Sequence, residues 1–206
     1  PTTEAQQELI GRYFEITDNP AEADLAIVRM NAPQGGRGYD EAVKRQGENG
    51  FLPISLQYGP YQANNASPAR PGMAYDGKSV TAENHHELAT LLETRWKMGR
   101  KPVIVAIELD RPAILSEIEP SADVILAHFG VEERAVFDII SGKAEPSALL
   151  PMRLPADMRT VEAQKEDVPF DTDCYVDEAG NRYDFAFGMN WKGVISDQRV
   201  KHYKTF

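Results

Sequence analysis

The stretch KPVIVAIELDRPAILSEIEPSADVILAHFG (Lys101–Gly130) contains two short apolar runs rich in Val and Ile, PVIVAIEL (Pro102–Leu109) and DVILAHFG (Asp123–Gly130). Neither run alternates with polar residues. A strand with one face in water shows that alternation, so unbroken runs imply strands covered on both faces, the habit of parallel sheets packed between helices. The residues between the runs, Ala113–Glu119, predict a short helix. Upstream, LAIVRM (Leu25–Met30) is a third run of the same kind. Together these predict an α/β fold, a three-layer α/β/α sandwich with a mostly parallel sheet.

Helical patterns fall around these strands. Asn84 stands before HHELATLLETRWKMG, where Leu88, Leu91, Leu92 and Trp96 recur at helical spacing as a core-facing stripe and Gly99 supplies a stop. Glu132–Ile140 places Val136, Ile139 and Ile140 on one helical face and ends at Gly142. Thr3 is placed to cap a helix beginning at Glu4. Two weaker strand signals are YFEIT (Tyr13–Thr17) and ISLQY (Ile54–Tyr58). In the tail, YVDEAGNRYDF carries a turn signal at Glu178–Asn181 between aromatic runs and predicts a C-terminal β-hairpin. The segment Asn31–Lys78 breaks the rhythm. It is rich in Gly, Pro and Asn, too long for a plain connector, and begins just past a parallel strand, where open α/β sheets place ligand sites.

The chain has 206 residues, a net charge of −10 and a single cysteine. That length suits one domain, residues 1–206, with an apolar fraction (42%) large enough to fill a core. No basic patch or helix is present, which argues against nucleic acid and against an anionic membrane as partners. No apolar run reaches the length of a membrane span, and the polar opening PTTEAQQELIGRYF is not a signal peptide. Cys174 has no partner for an intrachain disulfide and reads as a half-buried structural thiol. No Cys/His spacing fits zinc, and His85 and His86 lack a third ligand, so neither metal nor cofactor is expected. GGRG (Gly35–Gly38) follows a strand without the GxGxxG spacing of a phosphate cradle, and no GxSxG elbow occurs. His128, near the carboxyl end of its strand, reads as a hydrogen-bonded core histidine, with a cleft-facing one as the alternative, Asp110 and Arg111 as a local polar bridge, and Tyr175 and Trp191 as tail aromatics packed over the sheet.

Three ordered stretches carry a resemblance: EADLAIVRMNAP (Glu22–Pro33), KPVIVAIELDRPAILSEIEPSADVILAHFGVEERAVFDIISGKAEPSALLPMRLP (Lys101–Pro155) and YDFAFGMNW (Tyr183–Trp191). They resemble the C-terminal domain of glycoside hydrolase family 3, the β-glucosidase and β-xylosidase family. FLPISLQYGPY (Phe51–Tyr61) is similar to a loop of one bacterial subgroup. The likeness runs from about Glu22 to Val194.

The resemblance implies a sheet sandwiched between helices and docked on a (β/α)8 barrel, here absent, which would carry the nucleophilic aspartate. It implies retaining hydrolysis of β-glycosides or oligosaccharides by two carboxyl groups, with this domain forming one wall of the cleft and inactive alone. In many members the loop after the first core strand supplies the acid/base. Where some relatives carry glutamate in a GEGYD-like sequence, this chain has Arg37. The nearest carboxylates, Asp40 and Glu41, become the acid/base candidates, while Arg37, Tyr39 and Glu48 become substrate-binding candidates, Glu48 also being a third carboxylate. An exposed docking face would let an isolated copy pair as a homodimer. Relatives with the FLPISLQY-like loop point to a periplasmic or secreted protein. A non-catalytic carbohydrate-binding or scaffold module is the alternative, followed by a flavodoxin-like ligand binder.

Overall fold

The computed structural model describes residues 4–63, 75, 77–165 and 167–203. In chain order the elements are α1 (Glu4–Gly11), β1 (Ala26–Asn31), α2 (Glu41–Arg45), β2 (Tyr61–Gln62), β3 (Ser79–Val80), α3 (His86–Met98), β4 (Val103–Glu108) and β5 (Val124–His128). They continue with α4 (Glu133–Ile140), α5 (Met158–Ala163), β6 (Met189–Asn190), β7 (Gly193–Val194) and α6 (Gln198–Tyr203). Two short 3-10 turns, Leu115–Glu117 and Glu119–Ser121, stand where the short helix was predicted.

The three apolar runs form one parallel sheet in the order β1-β4-β5. Val28 lies beside Val105, and Val105 beside Ile125. Because side chains alternate along a strand, this register puts Val28, Met30, Val103, Val105 and Ile107 on one face. All five are buried, in a cluster that also holds Leu91 and Met98 of α3. On the opposite face Ile27, Ile104 and Leu126 are half-buried, while Arg29 and Val124 are exposed. Arg29 forms an ion pair with Glu133 of α4, and Phe137 of α4 packs against Tyr13 and Phe14, each with ring centroids 5.6 Å away.

Several polar ties fix the layers. Arg95 of α3 donates to the Ser121 carbonyl at 3.0 Å and pairs with Asp123, whose carboxylate also accepts the Val103 N–H at 2.8 Å. Those two donors hold the Asp123 carboxyl below the ordinary range. Lys101 gives its ammonium to the carbonyls of Pro20, Ala21 and Ala23, which positions the entry into β1.

The tail forms the antiparallel hairpin β6–β7, with Met189 opposite Val194. The Glu178–Asn181 turn also forms: Asp177 and Asn181 close it, and the flanking chain makes one isolated antiparallel bridge, Val176 to Arg182. Tyr175 and Tyr183 pack against the main core, as expected of tail aromatics. Arg153 forks onto Asp184 at 2.7 and 3.0 Å and reaches the carbonyls of Phe170 and Thr172, locking PMRLP (Pro151–Pro155) into the tail.

The structure corrects several expectations. Tyr13–Thr17 is not a strand. The Phe14 N–H still bonds the Ile10 carbonyl at the end of α1, and both rings of the Tyr13–Phe14 pair lie against α4, where a strand would split them between faces. Ile54–Tyr58 contributes only an isolated bridge at Ser55. The α3 stripe is narrower than expected: Leu91 and Met98 are buried, but Leu92 is 49% and Trp96 81% exposed. At 100° per residue, positions 92 and 96 fall outside the face that 91 and 98 turn to the sheet. Trp191 is exposed at the hairpin tip, and Cys174 is fully buried rather than half-buried. The Thr3 cap lies outside the described residues.

Candidate functional site

Beyond β1 the chain folds into a two-limbed finger. Residues 35–40 run antiparallel to residues 50–55, bridged at Gly35–Ser55 and Tyr39–Phe51. Backbone bonds Ser55 N–H to Gly35 carbonyl (2.7 Å), Leu52 N–H to Gly38 carbonyl (3.1 Å) and Asp40 N–H to Gly50 carbonyl (2.8 Å) hold the limbs together. The glycines are sterically required. A Cβ at Gly35 would sit 2.7 Å from the Ser55 Cβ. At Gly36, where φ is +74°, it would sit 2.3 Å from the Pro53 carbonyl oxygen. Close packing of two chain limbs, rather than a phosphate, accounts for the Gly-rich sequence.

The finger tip is α2, and it carries the candidate carboxylates. Asp40 is its N-cap: the carboxylate accepts the Ala42 N–H at 2.7 Å. Glu41 follows in the first turn with its side chain exposed. The structure thus places Asp40 and Glu41 together at the tip, with the exposed Arg37 and half-exposed Tyr39 on the limb leading to it. Tyr39 packs edge-on against Phe51 at 5.4 Å. Among the described residues no ion pair joins Arg37 to Asp40. Glu48 stands apart on the returning limb, paired at 2.9 Å with Lys78. Lys78 also donates to the Asn49 side chain (2.8 Å) and the Phe51 carbonyl (2.9 Å), so it staples that limb.

The base of the finger is held by residues to which sequence reasoning gave no part in the site. Asn84, 8% exposed, accepts the Gln34 N–H at 2.9 Å and donates to the carbonyls of Ala32 (3.2 Å) and Asn31 (3.3 Å). The fully buried Tyr58 donates its hydroxyl to the Asn31 carbonyl. Glu87 of α3 accepts the Asn31 N–H at 2.7 Å and the Asn31 amide at 2.9 Å. Glu117 accepts the N–H groups of Tyr58 (2.6 Å) and Gly59 (3.0 Å). Burial, with the Glu87 and Glu117 carboxylates nearby, pushes the Tyr58 phenol far above its usual value, so it remains a donor. Asn84 does not begin α3 as its position suggested. His85 occupies the cap position, its ring nitrogen 2.9 Å from the Ala82 carbonyl.

Between the outer face of the sheet and α4, reaching the last residue of each strand, lies a cleft of about 320 Å3 lined by Ile27, Arg29, Ala106, Glu108, His128 and Phe137 among others. His128 corrects the expectation of a hydrogen-bonded core histidine: it is half-buried and its Nδ1 is enclosed with no partner among the described residues. Burial lowers its basicity, and the neighbouring Glu108 carboxylate only partly opposes this. Strand parity was the available signal, since Glu108 and His128 are register partners and so share a face. Asp110 and Arg111 form the expected local bridge, at 3.0 Å.

Several known proteins resemble this chain. The model of the "Glycosyl hydrolase family 3 C-terminal domain" family matches residues 12–191. A "probable beta-glucosidase C" of Aspergillus flavus is 31% identical over 84% of this chain and 22% of its own length. A "periplasmic beta-glucosidase/beta-xylosidase" of Dickeya chrysanthemi is 24% identical over 85% of this chain and 21% of its own. A crystal structure of a β-glucosidase from Listeria innocua in complex with isofagomine aligns with 51% of this chain and 17% of that one, at 21% identity and a TM-score of 0.38. The chain spans about a fifth of the length of the curated relatives it matches.

Proposed function

Because this chain belongs to the glycosyl hydrolase family 3 C-terminal domain family, we propose that it forms one wall of the active-site cleft of a retaining β-glycosidase acting on terminal β-linked sugars. The observation that carries the reading is the finger: a two-limbed projection following the first strand of a parallel sheet, tipped by two adjacent carboxylates.

Retaining hydrolysis needs a nucleophilic carboxylate and, about 5 Å away, a carboxylic acid that protonates the leaving oxygen and then deprotonates water. The nucleophile comes from a barrel domain outside these residues. The finger supplies the second carboxyl group, from Asp40 or Glu41, and Arg37 and Tyr39 on the same limb contact sugar hydroxyls. Glu48 serves the finger through Lys78. A general acid active near neutral pH needs cover from water. Both candidates are exposed here, and the docked barrel provides that cover. The 206-residue chain by itself turns over no glycoside. The similarity to an enzyme named periplasmic supports a place for the whole protein outside the cytoplasm.

The test uses the longer protein and two aryl β-glucosides. A substrate with a poor leaving group depends on the acid, and one with a very good leaving group does not. Asp40→Asn or Glu41→Gln lowers kcat on the first by about 10²–10⁴-fold and leaves glycosylation by the second nearly unchanged. If both variants behave as the parent on both substrates, the finger does not supply the acid.

A further inference from the structure

The exit of β1 is held more tightly than a surface loop needs. Within four residues, Asn31–Gln34, the backbone N–H groups of Asn31 and Gln34 and the carbonyls of Asn31 and Ala32 are engaged by side chains from three separate elements. Asn84 comes from the turn before α3, Glu87 from α3 itself, and Tyr58 from the segment that follows the finger. Tyr58 is in turn fixed through its own N–H by Glu117 in the 3-10 turn after β4. No residue between Arg37 and Glu48 takes part. The whole network acts on the root, and a small rotation at a root is magnified at a tip.

We infer that Asn84 and Tyr58 are positioning residues, which set the direction in which the finger leaves the sheet and therefore where Asp40 and Glu41 stand over the cleft. The inference rests on the reading of the finger as the source of the acid. The Asn31 carbonyl is the shared point: Asn84 Nδ2 and the Tyr58 hydroxyl both donate to it. Tyr58→Phe removes one donor and keeps the ring in its buried site. Asn84→Asp keeps the acceptor for the Gln34 N–H but replaces the donor with an oxygen facing two carbonyls.

The experiment uses the longer protein carrying Tyr58→Phe or Asn84→Asp, with three readouts. Tryptic cleavage of the 206-residue chain carrying the same substitution, in which Arg37, Lys44 and Arg45 are exposed, reports the finger directly. Each variant is expected to be cut about fivefold faster than the parent, with a thermal midpoint within about 3 °C of it. On the β-glucoside with the poor leaving group, kcat falls by on the order of 10²-fold with KM little changed, while the substrate with the good leaving group is spared.

Unchanged cleavage overturns the inference whatever happens to activity. So does accelerated cleavage with unchanged kcat in an enzyme that Asp40→Asn or Glu41→Gln does inactivate. If those carboxylate variants are fully active, it is the reading of the finger as acid source that has failed, and the cleavage rates alone decide whether Asn84 and Tyr58 position it.

Discussion

Arg153 is the residue whose loss this fold should feel most for a single partly exposed side chain. Its guanidinium makes a two-point fork on Asp184 and also serves the carbonyls of Phe170 and Thr172. The two side chains retain only 22% and 29% of their exposure. Exposed ion pairs contribute about 0–1 kcal/mol, and breaking a buried pair costs about 3–5 kcal/mol. This pair lies between. After Arg153→Ala the carboxylate keeps the Phe185 N–H at 2.7 Å, but two carbonyls lose a charged donor. We expect a cost of about 2–3 kcal/mol, or a midpoint lowered by about 5–10 °C for a chain of this size.

The pH dependence provides an independent check. Burial alone would raise the Asp184 carboxyl, but the Arg153 fork and the Phe185 N–H outweigh it and the carboxyl lies below its ordinary value. A depressed carboxylate contributes stability that is full above the unfolded value of about 3.9 and is lost as pH falls through the folded one. The gap between parent and Arg153→Ala is therefore constant from neutral pH down to about 5 and narrows below about 4. Urea melts of parent, Arg153→Ala, Asp184→Asn and the double variant at pH 7 and pH 3.5 measure both effects. A single-variant cost under about 0.5 kcal/mol, or a gap that widens in acid, would refute the reasoning.

Two further outcomes are open to direct test. Gly36→Ala forces a side chain into a left-handed backbone and into the Pro53 carbonyl, so it should cost about 2 kcal/mol or more and accelerate tryptic cleavage at Arg37, whereas Gly47→Ala, where an added Cβ meets nothing within 4 Å, costs only the backbone term. Trp96→Gln, on the exposed side of α3, should shift stability by less than about 0.5 kcal/mol in the isolated chain; a cost of 2 kcal/mol or more would mean that the tryptophan is buried after all.

Much of the architecture was legible in the chain. Strand positions, sheet class and the main helices followed from three apolar runs and the 3.6-residue spacing between them, because backbone pairing and core burial are dictated by local pattern. The turn at Glu178–Asn181 and the Asp110–Arg111 bridge were equally local. Misreadings arose where burial depended on which partner arrived. Tyr13 and Phe14 look like strand residues until α4 is set over them, and Trp96 fits a stripe whose width only the sheet's own dimensions fix.

The site divides along the same line. Composition marked the loop after the first core strand, and the resemblance placed the candidate carboxylates in it. That Asp40 caps α2, that Glu48 is held by Lys78 thirty residues on, and that Tyr58, Asn84, Glu87 and Glu117 converge on the root of the finger could not be read from the chain. The sequence by itself determined the three core strands and the helices α1, α3 and α4, since their patterns are set within a few residues. Only the tertiary structure decided which side chains meet around Asn31, because hydrogen bonds between residues 27 to 59 positions apart depend on how the layers close.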